Sequence, residues 1–345
     1  MKTHLLFLLV LLPACSAPEP SSELIAPAGT EANAPVAGGG AASSSSGANG
    51  DEPSTSGASA IDCAGKKGTA GDVDVTIVSS GIERGATIHA PPNAGSRALP
   101  IVFVLHPLLL QRTAMRAIAN VERFSDDPEH GFLAIFPDGI ERSWNAGECC
   151  GEAKDRKIDD VRFIADLITK VKNDYCVDPT RIYSMGYSNG GFLSHRLACE
   201  LEGGVRAIAP VAGTLGIPES SCKTTRAVPV LAIHGTEDEL VPYEGGSPKI
   251  PFGATFGTFA SPAATDAFWA KANGCGPAGA PHFTKGDVSC VRHDGCRDGA
   301  SVGLCTVTGG GHQWPGGLPM PAMGHRTMNL DATAAAIDFF KQHGL

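Results

Sequence analysis

From Asp72 to Val78 polar and apolar residues alternate, the period of a strand with one wet face. Ala86–Ala90 reads as its antiparallel partner. Ile101–Leu105 and Leu133–Phe136 are instead continuously apolar, as strands covered on both faces should be. Between them Thr113–Phe124 has helical spacing. Val161, Ile164, Leu167, Ile168 and Val171 form another helical stripe, with Asp159 and Asp160 placed to cap it. Short apolar runs follow at Ile182–Met185, Ala207–Val211, Val230–Ile233 and Leu304–Val307, and a last helix is expected over Asp331–Gln342. Helices alternating with such strands predict an α/β fold: a mostly parallel, twisted central sheet of about eight strands with helices on both faces. In that architecture chemistry sits beyond the carboxyl ends of the strands.

The N-terminus follows another pattern. Residues 1–14 carry Lys2, the apolar run Leu5–Leu12 and small residues before Cys15, which predicts an export signal. Leu12-Pro13-Ala14-Cys15 resembles a lipobox, which makes Cys15 a candidate lipid attachment site. Pro13 is unusual there, so plain cleavage and secretion is the other reading. Residues 15–62 are rich in Ala, Ser, Gly and Pro and cannot bury enough apolar surface to offset their ordering entropy. They are expected to be a disordered tether, with the catalytic domain over 63–345.

A formal net charge of −9 argues against nucleic acid as a partner. Of eleven cysteines, ten lie beyond Cys15, and an even number in an exported chain predicts disulfides. Cys199–Cys222 and pairs within Cys275, Cys290, Cys296 and Cys305 are the candidate bridges. Those four cysteines with His282 and His293 could in principle hold a metal, but no C-x-x-C pair supports it. The adjacent Cys149 and Cys150 are each expected to pair elsewhere. No metal and no cofactor is predicted, and the expected state is a monomer.

The chemistry centres on Gly186-Tyr187-Ser188-Asn189-Gly190, which fits G-x-S-x-G between a strand and a helix bearing Phe192, Leu193 and Leu197. Glycines 186 and 190 leave room for strand and helix to close on each other. A serine hydroxyl needs a base, and the base a carboxylate. In the order serine, acid, histidine, Asp238 follows the strand Val230–Ile233 and His312 follows Leu304–Val307 and three glycines. Asp238 is preferred to Glu237, Glu239 and Asp266 because an apolar turn follows and could bury it. His234 is expected to donate a structural hydrogen bond. The oxyanion donors are expected to be the amides of Asn189 and of Leu108, since Pro107 has no N–H. Leu108-Leu109-Leu110 is either core packing or an apolar wall of the acyl pocket. His106, Trp144, Tyr187 and Trp314 are candidate pocket residues. The loop carrying Phe252, Phe256 and Phe259 is either a lid or a satellite core.

Leu105-His106, Ser143-Trp144-Asn145-Ala146-Gly147 with Cys149-Cys150-Gly151, Gly186–Gly191, His234-Gly235-Thr236 with Asp238 and Val241-Pro242-Tyr243, and Gly309–His312 with Trp314-Pro315-Gly316 recur in one order. Together they resemble the secreted esterases that unite feruloyl esterases and polyhydroxybutyrate depolymerases. The resemblance spans about 63–345. It implies an α/β-hydrolase fold, a Ser188–Asp238–His312 triad and an ester substrate, small or polymer-linked. The departure is Pro107–Leu110, where the family usually has a glycine after the histidine. Hydroxycinnamoyl esters of plant polysaccharide are the leading substrate class. Hydroxyalkanoate polyesters and acetyl-xylan-type esters are alternatives, as is a tethered binding protein that has lost turnover.

Overall fold

The computed structural model describes residues 61, 63–66, 68–250 and 256–345. Ala58–Leu345 forms one compact unit. The predicted signal, the tether with Cys15 apart from Ile61, and Phe252 lie outside the described residues.

The apolar runs all become strands of one sheet: β1 (Gly71–Ser79), β2 (Ile82–Ala90), β3 (Leu99–Leu105), β4 (Leu133–Pro137), β5 (Val177–Tyr187), β6 (Ala207–Val211), β7 (Val230–Gly235), β8 (Phe283–Lys285), β9 (Val288–His293) and β10 (Val302–Val307). Their order is β1-β2-β4-β3-β5-β6-β7-β10-β9-β8. From β4 to β10 every pairing is parallel. β1 and β2 enter antiparallel at one edge, and β9 and β8 leave antiparallel at the other. Ten strands replace the expected eight or so. β8 and β9 sit in a Cys-, Gly- and charge-rich stretch with little apolar pattern, and β8 is wholly exposed, so neither has the marks of a core strand.

Helices cover both faces, apart from short pieces such as the four-residue α3 (Glu152–Asp155). α4 (Asp160–Asp174), α5 (Asn189–Glu200) and α6 (Pro262–Ala272) bury Phe163, Leu167, Phe192, Leu193 and Trp269 in one core. α1 (Arg112–Ala119) and α7 (Ala332–Gln342) bury Met115, Ile118, Ile337 and Phe340 in a second core across the sheet. Asp159 caps α4 by accepting from Arg162 N at 2.9 Å, and Asp331 likewise caps α7. Asp160 does not share the capping. It is buried and pairs with Arg84 at 2.7 Å. The helix expected over Thr113–Phe124 is broken: Asn120 turns left-handed at φ 44°, and only the short α2 (Glu122–Ser125) follows. α6 went unforeseen because its apolar residues make no clear stripe. Ser261 caps it from Ala264 N at 3.0 Å, and a proline opens its first turn.

All ten cysteines beyond Cys15 are paired: Cys63–Cys176, Cys149–Cys150, Cys199–Cys222, Cys275–Cys296 and Cys290–Cys305. The last three pairings fit the expectation, and they leave no thiolate of the 275–305 group for a metal. The adjacent pair corrects it. The other eight cysteines bond among themselves, so the two buried neighbours are each other's partner.

Candidate active site

β5 runs out of the sheet at Tyr187, and Ser188 makes the turn into α5 with φ 54° and ψ −120°. Few L residues adopt that conformation, and it marks a strained, over-determined position. The flanking glycines show why the turn holds. A Cβ on Gly186 would lie 2.2 Å from the Gly190 carbonyl oxygen, and one on Gly190 would lie 2.4 Å from that of Leu105. Ser188 is 9% exposed and its hydroxyl makes no hydrogen bond among the described residues.

His312 follows β10, parallel neighbour of β7, and is 5% exposed. Its Nδ1 donates to Asp238 Oδ2 at 2.7 Å, while its Nε2 has no partner among the described residues. Asp238 follows β7 and is buried. Its Oδ1 accepts from the amides of Leu240 at 2.9 Å and Val241 at 2.8 Å. Burial alone would push its carboxyl up, but the charge of His312, that hydrogen bond, His234 and the Val241 amide hold it below the usual carboxylate range. The predicted apolar turn therefore supplies donors as well as cover. His234 Nε2 donates to Val241 O at 2.8 Å, and burial keeps its ring neutral.

Tyr187 joins the two halves. Its hydroxyl donates to the backbone oxygen of His312 at 2.6 Å, and the two rings stack with centroids 5.3 Å apart. Burial, aided by the Asp238 charge, raises its phenol well above the usual range, so the proton stays and the hydroxyl remains a donor. The residue before Ser188 thus holds the backbone of His312.

Asn189 heads α5, where the first-turn amides have no helical acceptor. Its side chain is equally engaged. Oδ1 accepts from Trp144 N at 2.7 Å and Nδ2 donates to Trp144 O at 3.0 Å. The buried Cys149–Cys150 disulfide lies beside it, with Cys149 Sγ at 3.6 Å. The Leu108 amide likewise has no partner among the described residues.

The four candidate pocket residues are corrected. His106, Trp144, Tyr187 and Trp314 are all buried and present no surface to a substrate. Trp144 Nε1 donates to His106 O at 2.9 Å, and their rings lie 4.7 Å apart. His106 Nε2 accepts from Gly139 N at 2.9 Å, and burial keeps the ring neutral. Trp314 Nε1 donates to Thr333 at 3.1 Å. They form the frame beneath the rim from which Ser188 emerges. Aromatic residues next to motif glycines gave no sequence signal to separate frame from wall.

A strap over 317–329 backs the histidine. Gly311 N donates to His325 O at 2.9 Å, and Gln313 Nε2 donates to Gly324 O at 2.9 Å. Asp287, in the turn between β8 and β9, anchors it by accepting from Thr327 Oγ1 at 2.5 Å and from Asn329 Nδ2 and His325 Nε2 at 2.9 Å each. Burial opposes ionisation of Asp287, but these hydrogen bonds bring its carboxyl down to about 2. Phe259 is buried with its ring 4.9 Å from Phe192, and Phe256 packs on the same core. The satellite-core reading therefore holds for both.

The sequence profile of the dienelactone hydrolase family matches residues 92–247. Feruloyl esterase B of Piromyces equi is 33% identical over 225 residues, a match covering 63% of this chain and 40% of that protein. This chain thus spans less than half the length of that relative. Feruloyl esterase D of Neurospora crassa is 26% identical over 258 residues, covering 69% of this chain and 77% of its own. Among solved structures, the acetyl xylan esterase from Aspergillus awamori has a TM-score of 0.52 at 14% identity, over 78% of this chain and 99% of that one, a likeness of fold. The chain thus shares its fold with a solved esterase, and its residues 92–247 are similar to the dienelactone hydrolase family.

Proposed function

We propose that this protein is an exported serine carboxylic-ester hydrolase, and that Ser188, His312 and Asp238 are its nucleophile, base and orienting acid. The observation that carries the reading is the buried Asp238–His312 pair, whose histidine backbone is held by Tyr187, the residue preceding a strained serine. Asp238 fixes the tautomer with the proton on Nδ1, so His312 Nε2 has a lone pair for the serine proton. Ser188 Oγ attacks the ester carbonyl as that proton moves to His312. The amides of Asn189 and Leu108 stabilise the oxyanion. The tetrahedral adduct collapses, His312 protonates the departing alcohol, and an acyl-enzyme remains. Water, deprotonated by His312, then releases the acid and regenerates Ser188.

Relatives named feruloyl esterase support hydroxycinnamoyl esters as the substrate class. Five disulfides support folding outside the cytoplasm, as does the predicted signal. Attachment through a lipid on Cys15 rests on the sequence pattern alone. A fluorophosphonate probe should modify Ser188, and Asp238→Asn should lower kcat by about 10³–10⁴-fold with the fold intact. A folded protein that takes no label would be the tethered binder instead. A panel of methyl ferulate, acetylated xylan and hydroxybutyrate oligomers decides the substrate, and turnover of short acyl esters alone defeats the feruloyl reading. If Cys15→Ser leaves the protein in the membrane fraction, the anchor is wrong.

A further inference from the structure

Leu108, Leu109 and Leu110 do three different things. Leu108 packs on the core that holds α4 and α5, and its side chain lies where a Cβ on Gly151 would be. Leu110 packs on the opposite core. Leu109 stands between them, 59% exposed, with φ 66°. A single exposed leucine is ordinary on a protein surface. A leucine held left-handed is not, because its Cβ crowds the following carbonyl. Here the side chain recovers little of that strain by burial.

The loop it touches has the same character. Ile140 and Ser143 close a tight turn whose central residues, Glu141 and Arg142, both have positive φ, at 48° and 56°. Both are exposed. Leu109 N donates to Arg142 O at 2.8 Å, so the two strained loops form one lip. No hydrogen bond or ion pair of the Arg142 guanidinium occurs among the described residues. The lip is also tied to the nucleophile. Two residues after Arg142, the backbone of Trp144 is gripped by Asn189, next to Ser188. β3 leads into Leu109 at the rim where Ser188 emerges, since Leu105 pairs with Gly186. Three strained, non-glycine, exposed side chains concentrated at one point of a catalytic rim are a functional pattern, because strain persists where it serves a site.

We propose that Leu109 and Arg142 form an acyl-recognition lip that selects aromatic acyl groups, with Leu109 against the ring and the Arg142 guanidinium over its π-face. The assignment rests on the esterase reading above. Neither residue takes part in bond making, and both act on which acyl group is accepted.

The test compares 4-nitrophenyl ferulate with 4-nitrophenyl acetate, which share a leaving group. Asparagine tolerates left-handed backbone, so Leu109→Asn and Arg142→Asn remove the apolar body and the cation without changing the turn. Each variant should keep the wild-type Tm and lose roughly tenfold in kcat/KM for the ferulate, with the acetate within about twofold of wild type. Equal losses on both esters, or a ferulate-to-acetate ratio unchanged from wild type, overturn the lip and leave the esterase intact. A wild-type protein that cleaves the acetate but not the ferulate overturns the feruloyl substrate class and the lip together.

Discussion

The hydroxyl of Tyr187 donates to the main-chain oxygen of His312 at 2.6 Å, so the residue preceding the serine fixes the backbone of the histidine. Tyr187→Phe keeps the ring stack and removes only that bond. A buried carbonyl then loses its donor, a loss of about 1–3 kcal/mol, and the His312 loop gains freedom. We expect kcat to fall roughly tenfold or more with KM little changed, because misplacing a base affects the transition state above the ground state. Steady-state kinetics on a short acyl ester checks it. Unchanged kcat would mean that the disposition of His312 is set elsewhere.

The side chain of Asn189 ties the serine turn to Trp144. Its carboxamide satisfies both the N–H and the C=O of buried Trp144. Asn189→Ala orphans both groups and frees the loop that bears the Cys149–Cys150 disulfide. Stability should fall by about 2–6 kcal/mol in urea unfolding, since each of the two buried orphans costs about 1–3 kcal/mol. Asn189→Asp offers Trp144 N an acceptor but faces its C=O with no donor, so it should be nearly as damaging. Tolerance of either change would show that the loop is held by His106 and the disulfide alone.

Most strands were legible in the sequence, and so was the position of Ser188, Asp238 and His312 after β5, β7 and β10. Buried parallel strands must be apolar on both faces, and the site must follow their carboxyl ends. The frame was not legible. A motif shows that Trp144, His106 and Tyr187 stand near the chemistry, yet whether each faces substrate or supports the turn depends on pairings far apart along the chain, such as Trp144 with Asn189. The hairpin β8–β9 was hidden for another reason. β8 is exposed at the sheet edge, and β9 is held to β10 by Cys290–Cys305 with only Val288 and Cys290 buried, so apolar periodicity had little to mark the hairpin. Arg84 with Asp160 is a third case, since two charged residues that bury one another look like surface in a sequence.

Phe259 distinguishes a lid from a core. Its ring is buried 4.9 Å from Phe192 on α5, the helix that Ser188 begins. Phe259→Ala should cost about 3–5 kcal/mol of stability, the usual range for deleting a buried phenyl. Turnover per folded molecule at low temperature should be nearly unchanged on short and aromatic esters alike. A selective loss of KM for aromatic esters, with stability intact, would restore the lid.

Asp287 makes the strap behind His312 sensitive to acid. Its carboxyl titrates near 2 in the fold against an ordinary 3.8. A carboxylate with a lower pKa folded than unfolded stabilises the fold above its unfolded value, and that contribution is lost as pH falls through the folded one. The stabilisation from Asp287 is therefore present above about pH 4 and disappears between 3.8 and about 2. Asp287→Asn should lower Tm by roughly 2–4 °C at pH 7, as about 1 kcal/mol does in a chain of this size. The gap from wild type should close as the pH is taken down toward 2. The strap reaches the site through His325 O and Gly311 N, next to His312, so kcat at pH 7 should fall as well. A Tm difference that stays constant from pH 7 to pH 2.5 would show that the carboxylate charge does not anchor the strap.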